Sequence, residues 1–269
     1  MRIAAISDIH GNLPALEAVL ADIERMESDL IVIGGEITSS PMPHQTLDLL
    51  MALGPRTQFI LGNADRELVA CFDGDVPPER RSNDDPRHVD AWAARQITSQ
   101  QRDFLVDLPE SIVVEVDGMG QVRFCHGSRR SDEEIITVAT PEDRMRDMVT
   151  GIAQRVVVCG HTHMQFEHRI GETRVLSAGS AGMPYEGRPA PTGSSSGRAW
   201  PSSGPSTILR QPHSRSGRAA SRELMRSARR MSSARPWQPR RPSSLRRWPR
   251  GGTSEHVRPH SHAMSPDCP

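Results

Sequence analysis

Short, continuous apolar runs alternate with amphipathic segments through the first half of the chain, and this alternation limits the folds available to it. Arg2–Ile6 and Leu30–Ile33 are continuous enough in apolar residues to be buried strands. Between them, Leu13–Met26 places its apolar side chains on one helical face. Asn12 is the expected N-cap of that helix, and Pro14 suits its first turn. Strand–helix alternation of this kind predicts a layered α/β fold with a substantial sheet.

The same reasoning predicts the elements further along the chain. Asp117-Gly118 between two alternating apolar segments is typical of a β-hairpin, and Gly171-Glu172 marks a second hairpin. Residues 73–90 are polar and contain prolines, which indicates a surface insertion. The other predicted elements are the helices Gln45–Leu53, 88–97, 99–107 and 141–150, and the strands Gln58–Leu61, Ile112–Val116, Val122–Cys125, Val156–Cys159, Phe166–Ile170 and Thr173–Ser177.

Residues of the types that bind metals follow several of the predicted strands. In open α/β sheets, ligands bind at the carboxyl ends of the strands, so these side chains are expected to converge. Residues two apart in an extended segment point the same way, as Asp8 and His10 would. Imidazole, carboxylate and amide ligands without a thiolate suit Mn, Fe, Ni or Zn. The candidate ligands are Asp8, His10, Glu36, Asn63, His126, His161 and His163.

A set of this size is large enough for two divalent cations. Two cations about 3.5–4 Å apart can hold the attacking and leaving oxygens of an in-line displacement, and they lower the pKa of a bridging water. One carboxylate must bridge such a pair, and Glu36 is the natural candidate. The residues therefore indicate a two-cation site that makes a metal-bridging hydroxide available for an in-line displacement.

Five motifs occur in an order that is typical of one family: Asp-x-His at 8–10, Gly-Glu at 35–36, Gly-Asn-x-Asp at 62–65, His-Gly at 126–127 and Gly-His-Thr-His at 160–163. With the opening SDIHGNLPALEAVL and the closing CGHTHMQF and SAGSAGMPYEG, the chain resembles the small bacterial branch of the calcineurin-like metallophosphoesterases over roughly residues 1–188. The resemblance implies a four-layer fold, a double β-sheet sandwich flanked by helices, and the hydrolysis of phosphomonoesters or phosphodiesters.

The resemblance also implies how the candidate ligands are shared. One metal would be bound by Asp8, His10 and His163, and the other by Asn63, His126 and His161. Residue 36 would bridge the two ions, for which we expect Mn, with Fe, Ni or Zn as alternatives. Asp65 is expected to steady the loop that carries Asn63.

The chain departs from the family pattern at two site positions. Glu36 stands where the family has Asp, and its side chain is one methylene longer. Because functional sites tolerate misplacement of only about 0.5 Å, this predicts weaker metal binding. Ala64 stands where much of the family has a His that protonates the leaving group, and such general acid help is typically worth about 10²–10⁴-fold in rate.

Residues 191–269 differ in composition from residues 1–190. Of these 79 residues, 43 are Ser, Arg or Pro and only 5 are Leu, Ile, Val or Phe, so the segment cannot bury enough apolar surface to offset its ordering entropy. The formal net charge is −12 over residues 1–190 and +12 over residues 191–269. We therefore expect a phosphoesterase domain at 1–190 and a disordered tail at 191–269.

The family resemblance implies a further apolar strand where the chain instead reads PAPTGSSSGRAW, from residue 189. A single-base frame change in a GC-rich gene converts such a strand into Pro, Ala, Thr, Gly and Ser codons. We therefore hypothesise that the tail is a frameshift product, which would leave an edge of the sheet exposed.

Two other functions come from different classes of protein. A non-catalytic phosphoesterase fold that binds a nucleotide or a partner is favoured by Glu36 and Ala64. The basic tail, with Trp200, Trp237 and Trp248, could bind nucleic acid through charge and stacking, but an unselected tail is the simpler interpretation.

The cysteines and the apolar runs indicate in which cellular compartment the protein is expected. None of the four cysteines forms a C-x-x-C pair, which suits a reducing cytoplasm. No apolar run approaches the roughly 20 residues of a membrane span, so no membrane partner is expected. The sequence leaves open the natural substrate and the oligomeric state.

Overall fold

A computed structural model describes residues 1–39, 41–75, 88–185, 199–200 and 207–210. By internal contacts the chain divides into Met1–Ser232 and Ser233–Pro269, and all described residues lie in the first unit. The helices are α1 (Leu13–Arg25), α2 (Pro43–Met51), α3 (Asn63–Asp73), α4 (His88–Ala94), α5 (Ser99–Val106) and α6 (Glu142–Val149). The strands are β1 (Arg2–Ile6), β2 (Leu30–Ile33), β3 (Thr57–Phe59), β4 (Ser111–Val116), β5 (Gly120–Cys125), β6 (Val156–Cys159), β7 (Gln165–Ile170), β8 (Thr173–Ala178), β9 (Ala199–Trp200) and β10 (Thr207–Arg210).

The strands form two five-stranded sheets. The first sheet has the order β3-β2-β1-β10-β9, in which β1 is parallel to both β2 and β10. The second sheet has the order β4-β5-β6-β8-β7, in which β5, β6 and β8 are parallel. Its two outer strands belong to the hairpins that the sequence predicts, β4–β5 and β7–β8.

The two sheets pack face to face, and helices cover their outer faces. Successive residues of a strand point to opposite sides of a sheet. In β1, accordingly, Ile3 joins a core shared with the second sheet, which includes Phe124 and Val158. Its neighbour Ala4 joins a different core, formed with α1 to α5, while α6 covers the other face of the second sheet. These four layers are the predicted helix-flanked double-sheet sandwich.

Most predicted elements are present within a few residues of the expected bounds. Strands β1 and β2 have the predicted bounds, and Asn12 caps α1 by accepting a hydrogen bond from the backbone N–H of Ala15 at 3.3 Å. Helix α3 was not predicted. Its only buried residues are Ala64, Asp65 and Leu68, which is too narrow a stripe to give a clear helical periodicity. Most of the predicted 73–90 insertion lies outside the described residues.

Two segments of the C-terminal tail extend the first sheet. β10 pairs with β1 in parallel, with Arg2 opposite Thr207, and β9 pairs with β10 in an antiparallel arrangement. These six residues of the predicted tail therefore form strands, and the edge of β1 is covered. The rest of 191–269 lies outside the described residues. The frameshift hypothesis therefore stays a prediction.

Among the described residues, no helix has the length and apolar character needed to cross a lipid bilayer.

Candidate metal centre

The candidate ligands follow the carboxyl ends of five strands. Asp8 and His10 follow β1, Glu36 follows β2, and Asn63 follows β3 as the first residue of α3. In the second sheet, His126 follows β5, and His161 and His163 follow β6. Backbone hydrogen bonds connect these loops. Asp8 N donates to Gly35 O at 3.0 Å, and Gly160 N donates to His126 O at 2.8 Å.

Six of the seven candidates form two adjoining groups. Asp8, His10, Glu36 and His163 each present a ligand atom within 4.8 Å of the others, and all four side chains are buried. Glu36 also forms a second such group with His126 and His161. The carboxylate of Glu36 lies between the two groups, since its Oε2 is 2.8 Å from His10 Nε2 and its Oε1 is 3.6 Å from His126 Nε2.

Backbone carbonyls fix the orientation of two imidazole rings. His126 Nδ1 lies 2.7 Å from Gly34 O, and His163 Nδ1 lies 2.9 Å from Met183 O. A carbonyl can only accept a hydrogen bond, so both Nδ1 atoms carry the proton. The lone pair of each neutral ring is therefore on Nε2, which faces the centre, an arrangement common for metal-binding histidines.

Three buried polar atoms of the second group lack a hydrogen-bond partner among the described residues: Asn63 Oδ1, His126 Nε2 and His161 Nδ1. Leaving a buried polar atom without a partner costs about 1–3 kcal/mol. A divalent cation would satisfy all three, and the donor set of amide oxygen and imidazole nitrogen suits a transition metal. The residues present thus fit a metal, and the buried, unpartnered oxygen of Asn63 makes it a candidate to join this group.

The backbone is strained at the same positions. Six non-glycine residues in the described ranges have positive φ, where such residues are uncommon. Each such residue costs on the order of 1–3 kcal/mol, and this strain concentrates at functional sites. Five of the six are candidate ligands, and the remaining one is Glu27. The five are Asp8, His10, Glu36, His161 and His163.

Two glycines allow the ligand loops to approach one another. A Cβ atom on Gly62 would lie 2.4 Å from Glu36 N, and one on Gly160 would lie 2.6 Å from Asp8 Oδ2. Both distances are well below van der Waals contact, so any larger residue would push a ligand loop outward. The Gly-Asn and Gly-His pairs in the sequence therefore have a steric reason.

Without a metal ion, Glu36 remains a negatively charged carboxylate in the centre. Burial raises its pKa, but the close contact with His10 and the nearby imidazoles of His126 and His163 outweigh burial and hold that pKa far below its usual range. Burial lowers the pKa of His126, but Glu36 and Asp8 outweigh it and raise this pKa to about 9. A proton on His126 therefore offsets carboxylate charge where a cation would do so.

A model of the calcineurin-like phosphoesterase superfamily domain matches residues 1–194, well over half of the chain. The chain belongs to this superfamily. Like other calcineurin-like phosphoesterases, it has the buried His, Asp and Glu groups of a metal-dependent protein.

Solved structures show the same fold. A hypothetical protein from Pyrococcus horikoshii OT3 is 20% identical with a TM-score of 0.59, over 68% of this chain and 79% of that one. A metallophosphoesterase from Sphaerobacter thermophilus is 25% identical with a TM-score of 0.54, over 69% of this chain and 79% of that one. Among proteins with curated functions, no match to this phosphoesterase is found.

Asp65 joins the loop after β2 to the start of α3. Its Oδ1 accepts from Ile37 N at 2.8 Å and from Thr38 Oγ1 at 3.2 Å, and its Oδ2 accepts from Gly62 N at 3.2 Å. These bonds connect the segment after Glu36 to the one that carries Asn63. Burial raises the pKa of Asp65 to about 6, although the hydrogen bond from Ile37 opposes this.

Sequence reasoning did not anticipate the loop of residues 180–183 as a support of the centre. Ser180 Oγ donates to Asp8 O at 2.7 Å, and Gly182 N donates to the same oxygen at 2.9 Å. Met183 supplies the carbonyl that orients His163. The segment SAGSAGMPYEG contributed to the family resemblance, but its contacts with β1 depend on tertiary structure.

Proposed function

We propose that this protein hydrolyses a phosphate ester with two divalent cations. The observation that carries the proposal is the pair of adjoining ligand groups that share Glu36. Asp8, His10 and His163 would hold one ion. Asn63, His126 and His161 would hold the other, and this assignment gives a partner to the unpartnered buried atom of each of these three side chains. Bound cations would polarise the phosphoryl oxygens and make a hydroxide nucleophile available near neutral pH.

The donor set bears on the identity of the ions. Cys125 and Cys159 lie directly before the ligand loops, but burial raises the pKa of Cys125 to about 12 and that of Cys159 well above its usual value. Both therefore remain protonated and contribute no thiolate, so nitrogen and oxygen ligands favour Mn, with Fe, Ni and Zn as alternatives. The three described cysteines are free, which suits a reducing cytoplasm.

Ala64 affects which esters would be cleaved. The residue is buried at the start of α3 and offers no proton to a leaving group. Hydrolysis would therefore be faster for esters whose leaving group is a weak base, such as a phenolate, than for simple alkyl esters. Whether monoesters or diesters are preferred is a question for the assay.

The test combines metal content with turnover. We expect purified protein reconstituted with Mn²⁺ to bind two ions and to hydrolyse bis(p-nitrophenyl) phosphate. Asn63→Ala and His126→Ala should each lose one ion and most of the turnover, while Glu115→Gln, an exposed carboxyl on β4, should change neither. Fewer than two ions bound to a folded wild-type protein would overturn the proposal.

A non-catalytic fold that binds a nucleotide or a partner is the second candidate, because both Glu36 and Ala64 depart from the family pattern. It predicts two bound ions and tight binding of a nucleotide, with no turnover of any ester tested. The same Mn²⁺-loaded preparation distinguishes the two candidates.

A further inference from the structure

Tyr185 lies beside the metal centre with most of its side chain exposed to solvent. Its ring centroid is 4.6 Å from that of His163, with an angle of 35° between the ring planes. Its backbone N–H donates to His163 O at 3.2 Å. His163 is 5% exposed, whereas Tyr185 is 62% exposed. The tyrosine therefore covers one side of a candidate ligand and leaves much of its own surface to solvent.

Exposure of this kind needs an explanation, because burying an aromatic side chain is favourable. Tyr185 is the one aromatic residue among the large, exposed hydrophobic residues of the described ranges. Its hydroxyl makes no hydrogen bond to another described residue, so no polar contact accounts for its position. It is also the only tyrosine in the sequence.

The segment before Tyr185 is anchored to the metal centre. Met183 N donates to Ser180 Oγ at 2.7 Å, and that oxygen donates to Asp8 O. Met183 O in turn accepts from His163 Nδ1. Because these contacts place the chain next to two candidate ligands, the ring is held in position before any substrate binds. Such preorganisation lowers the entropic cost of binding.

We propose that Tyr185 is a stacking platform for a planar aromatic group of the ester, a nucleobase or an aryl ring. This rests on the proposed function, since the cations hold the phosphate and so bring its organic substituent towards the rim. Ile135 is a second exposed apolar residue. The next residue, Ile136, is bound to the loop after β6, because its carbonyl accepts a hydrogen bond at 2.9 Å from the hydroxyl of Thr162, which lies between His161 and His163 in the sequence. The exposed ring of Tyr185 beside the centre favours an aromatic substituent over a sugar or a small alkyl group.

The binding test compares ligands that differ only in the aromatic group. We expect the full-length protein, loaded with diamagnetic Zn²⁺, to bind AMP about 10-fold more tightly than ribose 5-phosphate, as one stacked base contributes. Phenyl phosphate should likewise bind more tightly than methyl phosphate, and the two pairs distinguish a nucleobase from a simple aryl ring. With ring-labelled tyrosine, the single NMR signal set of Tyr185 should shift with AMP or phenyl phosphate and not with their partners.

Substitutions then assign the preference to the ring. Tyr185→Ala should abolish it while leaving ribose 5-phosphate binding unchanged, and Tyr185→Phe should keep it. Val106→Ala, at an exposed apolar residue on α5, should behave as wild type. A purely structural role for Tyr185 predicts instead that Tyr185→Ala weakens every ligand equally.

The outcomes separate this proposal from the proposed function. Equal binding of AMP and ribose 5-phosphate to the wild-type protein, or an unshifted tyrosine signal, would overturn the stacking platform even if the protein hydrolyses esters. A tyrosine-dependent preference in a protein without turnover would support the platform and contradict hydrolysis. Both the wild-type comparison and the NMR signal remain decisive if Tyr185→Ala fails to fold.

Discussion

Glu36 is the one side chain common to the two candidate ligand groups. Its two oxygens face different histidines, and its backbone has a φ of +51°. Gly62 packs directly against its backbone, so the carboxylate has little freedom to shift. The longer side chain thus reaches the position between the two ligand groups, where the family pattern has Asp.

Removing the charge of Glu36 should be more harmful than shortening its side chain. We expect Glu36→Gln to weaken metal binding by more than the roughly 10–100-fold that is typical when a residue merely supporting a ligand is lost. Glu36→Asp keeps the charge and should still bind two ions. Calorimetric titration with Mn²⁺ measures both, and equal affinities for the two variants would contradict a bridging role for the charge.

Asp90 on α4 should make stability depend on pH. Burial, with the charges of Glu67 and Glu36, raises its pKa to about 7, and its Oδ1 has no hydrogen-bond partner among the described residues. The folded state therefore holds a proton that the unfolded state releases above about pH 4, so this group makes the free energy of unfolding fall as pH rises from 4 through 7.

Asp90→Asn should remove that dependence, because an amide does not ionise. In the presence of EDTA, we expect the variant to exceed wild type by on the order of 2 kcal/mol at pH 8 and by little at pH 4.5. Urea unfolding at the two pH values measures this, with Glu115→Gln as the exposed control. A gain that is the same at both pH values would count against the assignment.

At the residue scale, the sequence pointed to the candidate ligands more directly than to the residues that surround them. Asp8 and His10, or His161 and His163, are close in the chain, so local spacing reveals them. The carbonyls of Gly34 and Met183 that orient the rings come from distant segments. The raised pKa of Asp90 likewise arises from helix packing, which no local pattern encodes.

At the scale of elements, one arginine ties α3 to the loop after β5. Arg66 Nε lies 3.0 Å from Asp132 Oδ2, and its NH2 group lies 2.8 Å from Glu133 Oε1. Two carboxylates thus share the guanidinium of Arg66. The backbone of Glu133 is hydrogen-bonded to His161, so this ion pair supports the position of a candidate ligand.

Arg66→Ala should therefore weaken metal binding with little loss of stability. Partly exposed ion pairs contribute only about 0–1 kcal/mol to folding, whereas loss of a ligand's support typically costs about 10–100-fold in metal affinity. Arg102→Ala is the matched control, since Arg102 also pairs with two carboxylates, Asp73 and Asp103. Equal Mn²⁺ affinities of the two variants would show that Arg66 has no special role.

The strands were predictable from sequence because continuous apolar runs such as Leu30–Ile33 and Val156–Cys159 have few alternatives. Helix α3 was not, since it begins at a ligand motif and buries only a narrow stripe. The signal that could have revealed the helix is Asp65, three residues after Gly62, whose side chain accepts from the backbone N–H of Gly62 and so caps the helix.

At the scale of the whole molecule, the tail poses a question that the gene can answer. β10 covers the edge of β1, which suits a fold that needs a strand there. We still propose that residues from about 190 are out of frame. The coding DNA should contain a shifted frame that encodes an apolar strand near codon 190, and a gene without one contradicts the proposal.

The candidate ligands come from both sheets. Asp8, His10, Glu36 and Asn63 belong to loops of the first sheet, and the three other histidines belong to loops of the second. Bound cations would therefore act as cross-links between the two halves of the sandwich. Ligand binding to the native state alone stabilises it by about 2.7 kcal/mol at a free concentration 100-fold above Kd.

Chelation should then loosen the sandwich at one end as well as stop the chemistry. We expect EDTA to lower the melting temperature of Mn²⁺-loaded protein by about 5–10 °C, given the 2–4 °C per kcal/mol of a domain this size. Amide exchange should accelerate most at the carboxyl ends of β1, β2, β5 and β6. In such a protein, the supply of metal would set the lifetime of the folded chain.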